Sequence, residues 1–135
     1  MTIVEHGWIS FHVTPQVEAQ AKVIRAERDK QYANIYQENS SDMRWLGEIG
    51  EILFDEWLTL CNIRHTWIQE SAAGKPDFLI DNTSIDVKSV KRQVPMRLQY
   101  EAQITKRHAS EKVDQFFFAT YIQPTRKLLL LGGDQ

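Results

Sequence analysis

Asp77, Asp86 and Lys88 are the residues whose types and spacing best suit a chemical task in this chain. Eight residues separate Asp77 from Asp86, and only Val87 stands between Asp86 and Lys88. Two short predicted strands, Phe78–Ile80 and Ile85–Ser89, flank Asp81-Asn82-Thr83-Ser84, whose Asp and Asn side chains favour a tight turn. With residues 81–84 as that turn, Ile80 faces Ile85, Leu79 faces Asp86, Phe78 faces Val87 and Asp77 faces Lys88. Side chains alternate along a strand, so Phe78, Ile80, Ile85 and Val87 gather on one side and Asp77, Asp86 and Lys88 on the other. Asp77 and Asp86 become diagonal neighbours at roughly 7–8 Å, close enough for both to reach one ion. A two-residue loop preserves these faces, whereas a loop of three or five residues would send the acids to opposite sides.

Carboxylates held that close repel unless one is protonated or a cation lies between them, and a hard divalent ion such as Mg²⁺ fits that place. Lys88 beside the same ion could orient or help deprotonate a water, or neutralise charge building on a phosphate. The expected chemistry is phosphodiester hydrolysis. The competing reading is a polar hairpin face with an incidental salt bridge.

The elements that must position these residues are legible on either side. Val4 to Val13 alternates Ile9, Phe11 and Val13 against Trp8, Ser10 and His12, which predicts a strand ahead of Thr14-Pro15. Val17 to about Tyr36 lacks Gly and Pro and is rich in Ala, Gln, Glu, Lys and Arg, which predicts a solvated helix. Asn39-Ser40-Ser41-Asp42 offers a turn and an N-cap. Trp45, Leu46, Ile49, Ile52, Leu53 and Trp57 recur at helical spacing, so residues 43–60 form the strongest predicted helix. A strand is expected over 63–68, a small-residue turn over 71–75, and irregular chain around Pro95. A short helix over 106–113, strands over 116–122 and 127–131, and a Gly132-Gly133 tail complete the reading.

Pro76-Asp77, eight residues, then Asp86-Val87-Lys88 resembles the signature of the PD-(D/E)xK nuclease superfamily, with its restriction-endonuclease-like fold. That family orders a helix bearing an acid, a strand, the two motif strands, a helix and a further strand, and this chain offers the same order over about residues 43–122. The resemblance implies an α/β fold, a mixed central β-sheet flanked by helices, with residues 1–40 as an extension. It also implies a Mg²⁺-dependent deoxyribonuclease, with Mn²⁺ as a substitute, in which Asp77 and Asp86 bind metal and Lys88 acts on the attacking water. The family's helix acid would be Glu51 or Glu48. On a helical wheel the apolar arc centres near Leu53 and Leu46, with Glu48 and Asp55 opposite and Glu51 at its margin beside Gly47 and Phe54. Glu51 is therefore preferred as a metal contact, direct or through water, and small Gly47 and Gly50 would allow close approach. Asp81 belongs to the turn.

Composition bounds these expectations. A chain of 135 residues makes one domain, 1–135. Cys61, the only cysteine, can neither close an intrachain disulfide nor build a cysteine zinc site, which suits a reducing cytoplasm. No apolar run is long enough for a membrane span. Net charge is −2, yet residues 1–60 hold five Lys/Arg against ten Asp/Glu and residues 61–135 eleven against eight. An acidic part beside a basic part suits a metal-dependent enzyme acting on a polyanion. Lys91, Arg92, Arg97, Lys106 and Arg107 follow the motif and could grip phosphates, although a solvated surface serves equally for any one of them. His6, His12, His65 and His108 have no zinc spacing, and Trp8, Trp45, Trp57 and Trp67 suit a core. DNA is the expected partner, RNA stays open, and a homodimer could add specificity. The rival readings are a non-catalytic nucleic-acid-binding or assembly subunit of the same fold, and a metal-dependent phosphoesterase acting on nucleotides.

Overall fold

The computed structural model describes residues 1–4, 7–32, 45–69, 76–92 and 113–134. Among these residues seven strands form one mixed sheet: β1 (Thr2–Ile3), β2 (Ile9–His12), β3 (Thr66–Trp67), β4 (Phe78–Ile80), β5 (Thr83–Arg92), β6 (Gln115–Ile122) and β7 (Lys127–Asp134). Their spatial order is β1-β2-β7-β6-β5-β4-β3. β5 and β6 run parallel, and the other described neighbours pair antiparallel. Helices α1 (Pro15–Tyr32) and α2 (Leu46–Leu60) pack over one face, which makes the chain an α/β protein. None of the described helices is long and apolar enough to cross a membrane.

The Thr14-Pro15 pair that closes β2 also starts α1. Thr14 Oγ1 accepts the Val17 amide hydrogen at 3.2 Å, and Pro15 occupies the first helical position, where a missing N–H costs nothing. α2 begins at Leu46 and ends at Leu60, and just past Cys61 the φ of 57° at Asn62 lets the Ile63 amide reach back to the Leu58 carbonyl at 2.9 Å. One apolar cluster joins both helices to β2, β6 and β7 through Phe11, Val13, Ala21, Ile49, Leu53, Tyr121 and Leu128. A second sets Phe54 and Leu58 of α2 on Phe78, Ile85 and Val87. Phe54 meets Phe78 edge-on at 4.9 Å between ring centres, and Trp67 stacks on the other side of Phe78 at 5.7 Å. These rings anchor the hairpin beneath α2.

The hairpin register differs from the expected one by two residues. Phe78 pairs with Ile85, Leu79 with Ser84 and Ile80 with Thr83, leaving Asp81-Asn82 as a two-residue loop with Asp81 at φ 52°. Asp tolerates this left-handed backbone, so the turn closes earlier than the four polar residues suggest. A shift of two keeps every side chain on its face, and Phe78, Ile85 and Val87 are buried together with Ile80 against them.

Other differences have identifiable causes. The early strand is limited to Ile9–His12, the 63–68 strand shrinks to Thr66–Trp67, and β5 extends to Arg92 because β6 pairs with it along its length. Gly132-Gly133 is strand, not tail: these residues pair with Phe118 and Phe117, because β6 needs a partner for its first half. A register shift between Phe118 and Ala119, with Gly132 at φ 140°, lets β7 make that change in a conformation natural to glycine. The helix over 17–36 is not wholly solvated, since Ala21 and Arg28 on α1 are buried. The expected turn and N-cap at 39–42, the turn at 71–75, the irregular chain over 93–100 and the short helix through residue 112 lie outside the described residues.

Candidate metal centre

The site forms where β4 stops and β5 continues. Val87 is the first β5 residue past the last described β4 pair whose amide hydrogen needs a partner. Asp77 supplies one: its Oδ2 accepts from Val87 N–H at 2.9 Å, while its own amide donates to the Ile85 carbonyl at 3.1 Å. The side chain of Asp77 is thus pinned against the edge of β5. β4 begins at Phe78, so Asp77 lies just outside the paired register and these two hydrogen bonds set its place beside β5.

Asp86 and Lys88 project from the face of β5 opposite Val87 and the helices. Lys88 Nζ lies 3.0 Å from Asp86 Oδ2 and 5.6 Å from the centre of the Phe116 ring on neighbouring β6. These two contacts hold the ammonium beside the carboxylate. Asp86 is only 5% exposed, and its Oδ1 is buried without a hydrogen-bond partner among the described residues. A buried carboxylate oxygen left without a donor is costly, and a hard cation or a donor on a ligand would relieve it.

Asp77 carries the electrical record of this crowding. Burial, then the charges of Glu51 and Asp86, hold its pKa well above the usual carboxylate range, against the opposing pull of the Val87 amide and the Arg28 guanidinium. Asp77 therefore feels Glu51 from the helix side and Asp86 from the strand beside it. Two carboxylates in mutual repulsion, Asp86 with an unsatisfied oxygen, are hard oxygen donors of the kind that suit Mg²⁺ or Mn²⁺. As the side chains stand, no three Asp, Glu, His or Cys among the described residues converge into a ready cage.

Glu51 is near Asp77 but faces elsewhere. Its Oε1 accepts from Arg28 Nη2 at 2.9 Å and from Trp67 Nε1 at 3.1 Å, and its Oε2 accepts from Arg28 Nη1 at 2.9 Å. Arg28 also donates from Nη1 to Glu48 Oε1 at 3.0 Å and from Nε to the Gln69 carbonyl at 3.0 Å. Arg25 Nη1 reaches Glu48 Oε1 at 3.2 Å. Glu48, expected on the solvent side of α2, is instead 2% exposed, because α1 covers that side and brings two guanidinium groups to it. Burial raises the Glu48 pKa, and Glu51 adds to the rise while Arg25 and Arg28 oppose it.

Arg28 is the residue that sequence reasoning missed. A signal was present: Val17, Ala21, Ile24 and Arg28 recur at steps of four, three and four, which is one stripe of a helix. The stripe packs inward, with Val17, Ala21 and Ile24 in the core and Arg28 at its end. Of the two helix glycines, Gly50 makes the close approach: a Cβ there would run into Ser89 Oγ and lie 3.4 Å from Val87 Cγ1, whereas Gly47 faces open space. Lys91 is exposed on β5, three residues from Lys88 and so on the opposite face; the Arg92 side chain, Arg97, Lys106 and Arg107 lie outside the described residues. Trp45, Trp57 and Trp67 pack against the core as expected. No protein-family model, curated protein or solved structure matches this chain.

Proposed function

We propose that this protein is a Mg²⁺-dependent deoxyribonuclease with a restriction-endonuclease-like core, working on DNA with structural or weak sequence preference. The observation that carries the reading is Asp86, which is buried, holds Lys88 on Oδ2, leaves Oδ1 without a donor among the described residues and repels Asp77. Asp77 and Asp86 would hold the ion. When bound, that ion supplies a Lewis acid for a phosphoryl oxygen and lowers the pKa of a coordinated water. Lys88, steadied by Asp86 and Phe116, orients the attacking water or neutralises charge on the phosphate as it forms. Asp77 stays in place through its bond to the Val87 amide, so the two acids keep their separation during turnover. A cytoplasmic setting and a homodimer belong to the same proposal.

The second reading, a non-catalytic nucleic-acid-binding subunit, is favoured by one fact: both oxygens of Glu51 are engaged by Arg28. Nicking of supercoiled plasmid with Mg²⁺ decides between them. The nuclease reading expects nicks that fall at least about a hundredfold in Asp86→Asn and in Lys88→Ala. A gel shift without nicks would instead identify a binder. Hydrolysis of mononucleotides but not plasmid would point to a phosphoesterase on small substrates.

A further inference from the structure

Resting on the metal reading of Asp77 and Asp86, we propose that Arg28 is a positioning residue that withholds Glu51 from direct ligation of the ion. A carboxylate oxygen accepts along two lone-pair directions. Glu51 Oε1 uses both, for Arg28 Nη2 and Trp67 Nε1, and Oε2 uses one for Arg28 Nη1. Chelation through both oxygens is therefore closed while Arg28 stays, and any cation approaching Oε2 meets a guanidinium 2.9 Å from that atom.

Arg28 is held firmly enough to play this part. It is 5% exposed, and four of its five N–H groups are directed at Glu51, Glu48 and the Gln69 carbonyl. Glu48 and Glu51 also have guanidinium partners of their own, Arg25 and Arg28, with Arg25 reaching Asp29 as well. The acids left short of positive charge are Asp77 and Asp86, which share Lys88. Charge balance thus points an incoming divalent ion to that pair, with Glu51 contributing through a water at most. Arg28 comes from α1, which shares an apolar core with α2, so the guanidinium is carried by a packed helix.

Mn²⁺ binding to the full chain, measured by calorimetry and by the electron paramagnetic resonance of the ion without nucleic acid, tests the inference. Wild type binds, Asp86→Asn weakens binding about tenfold or more, and Glu51→Gln stays within about threefold of wild type. Arg28→Lys, a compact charge that cannot clamp both oxygens, tightens binding about threefold to tenfold, and the gain vanishes in Arg28→Lys/Glu51→Gln. Loss of binding in Glu51→Gln equal to that in Asp86→Asn, or a folded Arg28→Lys protein with no gain, overturns the inference and leaves the metal reading standing. Wild type that binds no Mn²⁺ overturns both. If Arg28→Lys does not fold, Glu51→Gln alone decides.

Discussion

Asp77 Oδ2 receives the Val87 amide hydrogen at 2.9 Å, so a side chain completes the edge of β5 where β4 has already ended. The same carboxyl is buried near Glu51 and Asp86 and holds its proton more tightly in the folded chain than in the unfolded one. Ionised Asp77 therefore weakens the fold: its favourable share is present at low pH and is lost as pH climbs from the ordinary value of 3.8 through the raised one. Asp77→Asn keeps the acceptor and removes the charge. The variant should gain roughly 0.5–2 kcal/mol at neutral pH, with the difference shrinking on acidification. Thermal melts check this, and added Mg²⁺ should raise the melting temperature of wild type but not of Asp77→Asn. A variant less stable than wild type at neutral pH would contradict the account.

His65 gives a pH dependence of the same sense by another route. Its Nδ1 lies 2.7 Å from the Ile63 carbonyl and its Nε2 2.6 Å from Asp55 Oδ1, so both ring nitrogens face acceptors and both must donate. Burial pushes the imidazole pKa down, but the bonds to Asp55 and Ile63 and the Asp55 charge outweigh it, and the net value is raised above 6.5. The His65–Asp55 pair therefore stabilises fully below 6.5 and fades as pH rises through the raised pKa. Melting temperatures of wild type and Asp55→Asn should differ most near about pH 5–6 and converge in alkaline buffer. A gap that widens with pH would refute the pairing.

Gly50 and Ser89 set the distance between α2 and β5. Gly50→Ala should destabilise by about 1–3 kcal/mol of overpacking, partly offset by a helix gain of roughly 1 kcal/mol. Ser89→Ala alone should be neutral or stabilising, because Ser89 Oγ is buried without a partner among the described residues. The double variant should recover most of the loss. Denaturant titrations of the four proteins form the cycle, and strict additivity would mean the two residues do not collide.

Trp67 joins two layers by stacking on Phe78 and donating to Glu51. Trp67→Phe keeps a ring but loses the charge-assisted bond, at a cost of about 1.5–3 kcal/mol. That cost should shrink to roughly 0.5–1.5 kcal/mol in a Glu51→Gln background, where a neutral amide oxygen accepts the bond. An equal cost in both backgrounds would assign the effect to packing alone.

The legible parts of this chain are those where side-chain chemistry follows a short period. Alternation over 78–88 separated Phe78, Ile85 and Val87 from Asp86 and Lys88 even though the turn was placed two residues too wide, because a shift of two leaves faces unchanged. Helical spacing found α2 for the same reason. Glu48 escaped because a wheel describes one helix and says nothing of a neighbour; only α1, laid across it, turns a polar side into a buried ion cluster. Gly132-Gly133 escaped because strand pairing there rests on backbone groups that carry no side-chain signal.

β7 lies between β2 and β6, so the last described strand is also an interior one. Ile9 finds its partner in Leu130, near the opposite end of the chain. Closing so long a loop is entropically slow, and during synthesis the edges of β2 and β6 that face β7 stay unpaired until residues 127–134 have left the ribosome. Nascent chains thus leave two strand edges open to proteases and to one another until β7 emerges.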